Sequence, residues 1–305
     1  PPPPHSCTCV AAKGVRSTVA TANYAKSIPK QTAQPVPSME KYPRTAVSAS
    51  SPPPKSFLSY TAIAPNAWKF LTNDLILIDF EQGTVTDNPC ITGKEYQETF
   101  PCFSADNHTI YFCRAPYLPQ PDSTRQMHYD LYSISFNPQT GQLGDSIHEV
   151  FRASSEGKSV SFPKCSPNGK HLLFSVSNYG TFPIWHPETD LWMLELSTGK
   201  IDKMEQTNGR YSDSYHSWSS NSHWIVFASK RDDRVYGRPY FAHVSGDGNV
   251  SKAFLLPQEN PEMYLNTFKS YNIPELYNTA ETYDAHELQK LYYRKEAENL
   301  RYKEQ

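Results

Sequence analysis

A hairpin pattern that recurs three times without a gap constrains the fold of this chain more than any other feature. The copies begin at Phe100, Phe162 and Tyr215, and each runs as a short strand, a Ser-x-Asp/Asn-x turn and a second strand. Residues in such a turn hydrogen-bond their own backbone or tolerate left-handed geometry, as a hairpin needs. The second strand is apolar throughout, which is typical of a strand buried on both faces.

A second pattern, with four copies, marks the next strand. The copies begin at Asn73, Tyr129, Thr189 and, more loosely, Arg238, and each ends in a turn that contains glycine. Strand, tight turn, strand, loop and strand make up most of one propeller blade, and recurrence along a chain is the signature of repeat architectures. The sequence therefore predicts four countable blades, at about residues 42–96, 97–157, 158–211 and 212–258.

The segments on either side of residues 42–258 differ from the blades. Residues 1–41 hold few large apolar side chains, so burial cannot offset their ordering entropy, and an extended or disordered arm is predicted. Residues 259–305 begin as an irregular aromatic segment. From about 279 to 303 they contain no Gly or Pro, which predicts a charged C-terminal helix. The predicted fold is all-β: a β-propeller of at least four recognisable blades with an N-terminal arm and a C-terminal helix.

Charge and hydropathy exclude two classes of partner. The formal net charge is −2, so no electrostatic footprint for nucleic acid is present. No apolar run approaches the roughly 20 residues of a membrane-spanning helix, so no transmembrane segment is predicted in this chain. The chain starts at Pro1 without an apolar signal segment, and we expect the true N-terminus, with any targeting signal, to lie outside this sequence.

The cysteines do not predict a disulfide framework. The expected register of the first hairpin places Cys113 opposite Thr99, and Cys102 opposite Ile110 on the other face, so a bridge between these two cysteines is rejected. Cys165 occupies the position that aromatic residues fill in the sister repeats. It is therefore predicted to be a small core hydrophobe.

Signatures of metal and cofactor chemistry are weak. His5, Cys7 and Cys9 are zinc-type ligands, but zinc needs four ligands, usually as separated pairs, and no matching pair follows. A solvated tail is the better interpretation. The chain also lacks a Gly-x-Ser-x-Gly nucleophile elbow and a glycine-rich phosphate loop. No catalytic residue, metal or cofactor is predicted.

One polar and aromatic set is a candidate ligand site. Trp185 and His186 lie between the second and third strands of one blade, His216 opens the next blade, and Arg231 and Asp232 follow that blade's second strand. The innermost strands and the loops at one mouth of a propeller surround its ligand site, so these segments are expected to converge. Structural alternatives stay open: core or supporting roles for the histidines, and a solvated or intra-loop ion pair for Arg231 and Asp232.

The repeats carry a family resemblance. The run from Phe162 to Ser175, followed by Asp190-Leu-Trp, resembles the WD40-like repeat of TolB-type β-propellers. The runs at 214–233 and 254–258 resemble periplasmic TolB-like proteins of Bacteroides-type bacteria, and the resemblance spans about residues 56–275. It implies six blades in the full protein, because the family usually closes with six. It also implies a periplasmic location, and leaves open association with the outer membrane through a partner or an N-terminal lipid anchor.

Two functions follow from this resemblance. The first is a non-enzymatic scaffold or accessory subunit of a periplasmic or outer-membrane complex, whose partners are other cell-envelope proteins such as outer-membrane or lipoprotein subunits. Its candidate partner-binding residues are Leu288, Leu291, Tyr292 and Tyr302. The second is a carbohydrate-binding propeller, or one like the oligogalacturonate lyases of this family, which use a His-rich manganese site. Its ligand would bind at the channel mouth, around Trp185, His186, His216 and Arg231.

Overall fold

The strands of the protein follow one another in a repeating order. The computed structural model describes residues 18–21, 45–48, 57–63, 73–79, 84–86, 88–93, 95–118, 124–271, 273–276, 286, 290 and 301–302. The strands in these residues are β1 (Thr18–Thr21), β2 (Thr45–Ser48), β3 (Phe57–Ile63), β4 (Asn73–Asp79), β5 (Thr84–Thr86), β6 (Tyr96–Phe103), β7 (Thr109–Pro116), β8 (Asp130–Asn137), β9 (Gln142–Phe151), β10 (Ser159–Cys165), β11 (His171–Ser177), β12 (Asp190–Glu195), β13 (Ile201–Lys203), β14 (Asp213–Trp218), β15 (Trp224–Ser229), β16 (Arg238–His243), β17 (Phe254–Leu255) and β18 (Arg301–Tyr302).

Three of the sheets are four-stranded antiparallel meanders. Their strands pair in chain order, as β6-β7-β8-β9, β10-β11-β12-β13 and β14-β15-β16-β17. Successive sheets pack through their first strands, β6 against β10 and β10 against β14. Four-stranded meanders arranged around their first strands are the blades of a β-propeller. The predicted all-β propeller fold is confirmed.

The first sheet is larger and draws on distant parts of the chain. Its order is β18-β5-β4-β3-β1-β2, in which β3, β4 and β5 form an antiparallel meander. Strand β1 comes from the predicted N-terminal arm and runs parallel to β3. Strand β18 runs parallel to β5 on the other side. Strand β4 packs on β6, which joins this sheet to the next blade.

The prediction that the C-terminal helix extends to about residue 303 is wrong. Arg301–Tyr302 forms β18, paired with Thr84 and Val85, rather than the last turn of a helix. The edge of β5 presents backbone groups that need partners, and pairing with them outweighs the helix propensity of this short stretch. Of the other residues predicted to be helical, His286 and Lys290 are helical and the rest lie outside the described residues, as do His5, Cys7 and Cys9.

The predicted hairpin turns are confirmed in all three copies. Ser104, Ser166 and Ser219 begin the turns, and each Oγ accepts a hydrogen bond from the backbone N–H five residues later, at 3.0, 2.9 and 2.9 Å. Each Oγ also donates to the Asp or Asn two residues on. The residue after that Asp or Asn has positive φ: 59° at Asn107, 70° at Gly169 and 62° at Ser222.

This geometry makes a testable prediction at Gly169. Replacing Gly169 with alanine is expected to lower the free energy of unfolding by about 1–2 kcal/mol, because a β-carbon disfavours left-handed backbone. The sister hairpin supplies the control, since Asn107 occupies the same position and asparagine tolerates this conformation. Gly169→Asn should therefore cost less than Gly169→Ala in chemical denaturation, and equal costs would contradict the argument.

A β-bulge interrupts the first strand of each repeated hairpin at the same place. The register shifts after Thr99, Ser161 and Ser214. The residue that follows is Phe100, Phe162 or Tyr215, with φ of 53°, 54° and 51°. Non-glycine residues rarely adopt positive φ, so its recurrence marks a feature that the surrounding structure enforces. The three rings pack in a row, with centroids 4.0 Å apart for Phe100 and Phe162 and 4.9 Å for Phe162 and Tyr215.

The bulge corrects one predicted pairing. Cys113 lies opposite Thr99 as predicted, but Cys102 lies opposite Tyr111 instead of Ile110, because the bulge inserts an extra residue between the two pairs. Cys102 and Cys113 are not joined by a disulfide, so rejecting a bridge between them is confirmed. Cys165 is fully buried in the core, also as predicted.

The core lies between successive sheets. The third and fourth blades meet through Leu173, Leu191, Trp218, Ile225 and Phe227, all buried. Trp218 is a core residue of this cluster. Its indole Nε1 donates to the Lys164 carbonyl at 3.0 Å, so the ring also links two innermost strands. The packing fixes the orientation of the loops at the blade ends.

Candidate functional site

Three loops of the third and fourth blades lie at one end of the propeller. They join β11 to β12, β13 to β14 and β15 to β16, and the hairpin turns of these blades lie at the opposite end. The first loop contains a single turn of 3-10 helix, Pro183–Trp185, whose Pro183 and Ile184 are buried. The loop that contains Trp185 and His186 is therefore brought to the loop that contains Arg231 and Asp232, as the sequence predicts.

Ser212 ties the three loops together. Its Oγ donates to the Pro183 carbonyl at 2.9 Å, and its own carbonyl accepts from the Lys230 N–H at 3.0 Å. Thr189 Oγ1 donates to the same Pro183 carbonyl at 2.8 Å. Ser212 and Thr189 are buried, so these bonds are shielded from water. The loops hold fixed positions relative to one another before any partner arrives.

Large side chains project from these loops into solvent. The exposed fractions are 75% for Trp185, 62% for Phe182 and 61% for Val235. The Lys230 ammonium lies 4.9 Å from the centre of the Trp185 ring, and the Arg234 guanidinium lies 4.5 Å from that of Tyr211. We call this surface the aromatic–basic patch, made of Phe182, Trp185, Tyr211, Lys230, Arg234 and Val235.

His186 supports the patch from beneath. Its side chain is buried, with Nδ1 3.3 Å from Glu188 Oε1 and its ring edge-on to Tyr179 at a centroid distance of 4.3 Å. Glu188 also accepts from the Asn178 N–H at 3.2 Å, which closes the base of the loop. Trp185 and His186 are adjacent in sequence, but only Trp185 is accessible to a partner.

His216 is sequestered in the core. It is 2% exposed, and its Nε2 donates to the Leu173 carbonyl at 3.1 Å. A neutral imidazole has one N–H, so Nδ1 is the acceptor for the Ser175 hydroxyl at 3.5 Å. Burial, with the positive charge of Lys164, lowers the pKa of His216 to about 3. The side chain is neutral at physiological pH and does not face a ligand site.

Arg231 forms an ion pair with Asp213, the buried first residue of β14. Its Nη2 lies 2.8 Å from Asp213 Oδ1 and 2.8 Å from the Thr207 carbonyl, and its Nε donates to Ser229 Oγ at 2.8 Å. The guanidinium also lies 4.4 Å from the centre of the Tyr240 ring. Asp213 is fully buried, and burial raises the pKa of its carboxyl while Arg231 opposes that rise.

Asp232 is not the ion-pair partner of Arg231, contrary to the intra-loop alternative. It accepts from the Tyr240 hydroxyl at 2.7 Å and lies 3.8 Å from Arg238. Arg238 is buried and makes its shorter contact, at 2.7 Å, with Asp233. The acidic side chains of the Lys-Arg-Asp-Asp-Arg run are thus committed to the protein's own residues, since the β15–β16 loop folds back on β16.

The segment that follows the last blade covers part of the innermost strands. Ser217 Oγ, on β14, donates to the Pro274 carbonyl at 3.0 Å. Lys164, on β10, is buried, which lowers its pKa, while the charge of nearby Glu275 raises it. Residues 273–276 therefore lie close to β10 at Lys164 and to β14 at Ser217.

A groove of about 330 Å³ lies between the third and fourth blades. It is lined by His171, Met193 and Met204, among other residues, and by the turn 247–250. None of the residues predicted to bind a ligand lines it. Sequence reasoning missed this groove, as well as Phe182, Tyr211 and Lys230 of the patch. Large apolar residues in loops beside lysine and arginine were the available signal for the patch.

The remaining predicted residues are only partly described. Leu288, Leu291 and Tyr292 lie outside the described residues, and Tyr302 lies in β18. Among the residues that the structure describes, no three His, Cys, Asp or Glu side chains are grouped to hold a metal ion. Within the same part of the chain, no helix has the length and apolar character needed to span a membrane.

Comparison with known proteins gives structural matches only. No family model matches the chain, and no curated protein matches it either. Similar solved structures include TolB from Acinetobacter baumannii, at 14% identity and a TM-score of 0.39, over 67% of this chain and 44% of that one. An auxiliary nutrient binding protein from Bacteroides thetaiotaomicron has 9% identity and a TM-score of 0.38, over 64% and 40%. A puromycin hydrolase has 12% identity and a TM-score of 0.41, over 74% and 37%.

TolB-like propellers are thus among the structures that this chain is similar to, as the sequence resemblance predicts. The chain spans less than half the length of each of the three proteins just named. One of them is an enzyme and another a binding protein, and the likeness is one of fold alone.

Proposed function

We propose that this protein is a non-enzymatic propeller scaffold that binds other proteins of a cell-envelope complex. The observation that carries the proposal is the aromatic–basic patch, where Trp185 is 75% exposed on loops that buried hydrogen bonds hold in place. Exposed large apolar side chains that cluster on a rigid surface mark interaction sites. Tryptophan, tyrosine and arginine are also the residue types enriched at binding hot spots.

The enzymatic alternative has less support. It needed His216 at the channel mouth, whereas His216 is buried, neutral and hydrogen-bonded on both ring nitrogens. It also needed Arg231, whose guanidinium is held by Asp213, Thr207 and Ser229. Of the residues proposed for a sugar site, only Trp185 faces solvent. The proposed scaffold role, by contrast, does not depend on side chains that are already held by contacts within the protein.

The cellular setting of the proposal comes from the sequence resemblance. Periplasmic TolB-like proteins supply the expectation of a periplasmic location, with outer-membrane or lipoprotein subunits as partners and either a partner or an N-terminal lipid anchor as the link to the membrane. Leu288, Leu291, Tyr292 and Tyr302 remain proposed as a second contact. The patch and these C-terminal residues are separate sequence regions, so their contributions can be tested one at a time.

The experiment is affinity purification from detergent-solubilised envelopes with partners identified by mass spectrometry. We expect the wild-type protein to recover a stoichiometric set of envelope proteins, and Trp185→Ala with Phe182→Ala to lose most of it. Truncating a hot-spot aromatic costs about 2 kcal/mol or more, roughly a thirtyfold loss of affinity. The matched control is Trp224→Ala, a partly exposed tryptophan at the opposite end of the fourth blade.

Three results separate the possibilities. Loss of partners in the patch variant but not in the Trp224 control supports the patch as the docking surface. Loss only after substitution of Leu288, Leu291 and Tyr292 supports a scaffold that docks through its C-terminal segment instead. Recovery of a lone propeller by the wild-type protein contradicts the scaffold function.

A further inference from the structure

The cations at the aromatic–basic patch form no ion pair with a described carboxylate, although the charge of Asp233 acts on Lys230. Lys230 and Arg234 belong to the patch, and Arg210 lies beside it, with its guanidinium 5.4 Å from the Tyr211 ring centre. In the part of the chain that the structure describes, no carboxylate lies within ion-pair distance of these three side chains. The neighbouring carboxylates are engaged elsewhere: Asp213 with Arg231, Asp232 with Tyr240, Asp233 with Arg238 and Glu188 with His186.

The apolar residues and the cations alternate across the patch. Lys230 lies over Trp185, and Arg210 and Arg234 both lie close to Tyr211. Phe182 and Val235 extend the apolar surface and have no polar side-chain atom. A partner that covers this surface must supply apolar side chains for the rings and negative charge for the cations, since leaving a desolvated cation unpaired is costly.

We infer that the aromatic–basic patch binds an acidic peptide segment of a partner protein, in which carboxylates alternate with large apolar side chains. The inference rests on the proposed scaffold function and names the chemistry of the partner. Carboxylates of the segment pair with Lys230 and Arg234, and an apolar side chain packs on Trp185 and Phe182. The loops are already fixed by Ser212, so binding requires little ordering of this protein.

An acidic polysaccharide fits the same charge but not the rest of the surface. Sugar rings stack on open aromatic faces and need hydrogen-bonding groups for their hydroxyls. Here a cation lies over Trp185, two guanidinium groups lie near Tyr211, and Phe182 and Val235 offer no hydrogen bond. The apolar share of the patch therefore favours a peptide over a sugar chain.

The test uses the full chain and a fluorescently labelled peptide of alternating aspartate and phenylalanine. Binding is measured by fluorescence anisotropy, beside the matched peptide in which asparagine replaces aspartate, and beside oligogalacturonate. We expect saturable binding of the acidic peptide and at least tenfold weaker binding of the asparagine peptide. Raising the salt concentration from about 0.1 M to about 1 M shortens the Debye length from about 10 Å to about 3 Å. This should lower the affinity for the acidic peptide several-fold.

The variants assign the binding to the patch. The double variant Lys230→Glu with Arg234→Glu is expected to lower the affinity for the acidic peptide about tenfold or more, because the new negative charges repel it. Trp185→Ala should weaken both peptides, by about thirtyfold for the acidic one. Lys170→Glu is the charge control, since Lys170 is exposed in a hairpin turn at the opposite end of the third blade. It should leave the affinity unchanged.

Several outcomes would overturn the inference. Equal affinity for the two peptides, no detectable peptide binding, or unchanged affinity in the double charge-reversal variant would each exclude an acidic segment. Competition of the peptide by oligogalacturonate at lower concentration would assign the patch to a sugar. Envelope partners lost by Trp185→Ala without any effect of charge reversal would leave the scaffold function standing and remove only its acidic partner.

Discussion

Replacing Arg231 with alanine is expected to lower the free energy of unfolding by about 3–5 kcal/mol, because it leaves the buried carboxylate of Asp213 without its counter-charge. The substitution also removes donors to the Thr207 carbonyl and to Ser229 Oγ. These bonds join the loop before β14 to the end of β15. The loss should therefore appear as a lower midpoint in urea denaturation followed by circular dichroism.

Two further variants isolate the cause. Arg234→Ala removes an exposed guanidinium from the same loop and should change stability by less than about 0.5 kcal/mol. Adding Asp213→Asn to Arg231→Ala removes the uncompensated charge and should recover part of the loss. If Arg231→Ala is as stable as wild type, the ion pair contributes nothing and Arg231 becomes available again as a ligand-binding residue.

Acid is expected to destabilise the protein through His216. Burial lowers its pKa from 6.5 to about 3, so the folded protein binds this proton less tightly than the unfolded chain does. Its contribution to stability is complete above pH 6.5 and declines as the pH falls from 6.5 towards 3. Below pH 6.5 each unit costs about 1.4 kcal/mol, which amounts to roughly 2–3 kcal/mol at about pH 4.5.

The measurement is the stability difference between wild type and His216→Gln across this range. Glutamine keeps a donor for the Leu173 carbonyl but cannot take up the proton. The variant is expected to be less stable than wild type at neutral pH and to lose less stability on acidification. His148→Gln, in an exposed part of β9, is the control and should follow wild type. A difference between wild type and His216→Gln that stays constant from pH 7 to 4.5 would refute this account.

Local chemistry explains why the hairpins were predictable. Ser166 and Asn168 direct their turn through bonds within five residues, so the sequence contains all the information that the turn needs. The bulge was not predicted, although proline follows the aromatic residue in two copies, at Pro101 and Pro163. Proline cannot donate to a strand ladder, and within sheets it often marks a bulge.

The site was less predictable because its partners are distant in sequence. Asp232 is next to Arg231 in the chain, but Asp213, 18 residues earlier, makes the buried contact. Similarly, only the structure shows that Ser212 hydrogen-bonds the loop that presents Trp185 and the loop that presents Lys230. Sequence pattern identified the loops correctly, but which side chains face water depends on how those loops pack.

The strands that make up the first sheet determine when that sheet can be completed during synthesis. Strands β3 to β5 leave the ribosome early, whereas Arg301–Tyr302, which pairs with β5, is synthesised after the three later blades. Those blades pair only strands that are close in sequence, so each can form as it emerges. The outer edge of β5 must wait for translation to reach residue 302, so this sheet is completed after the three other described sheets.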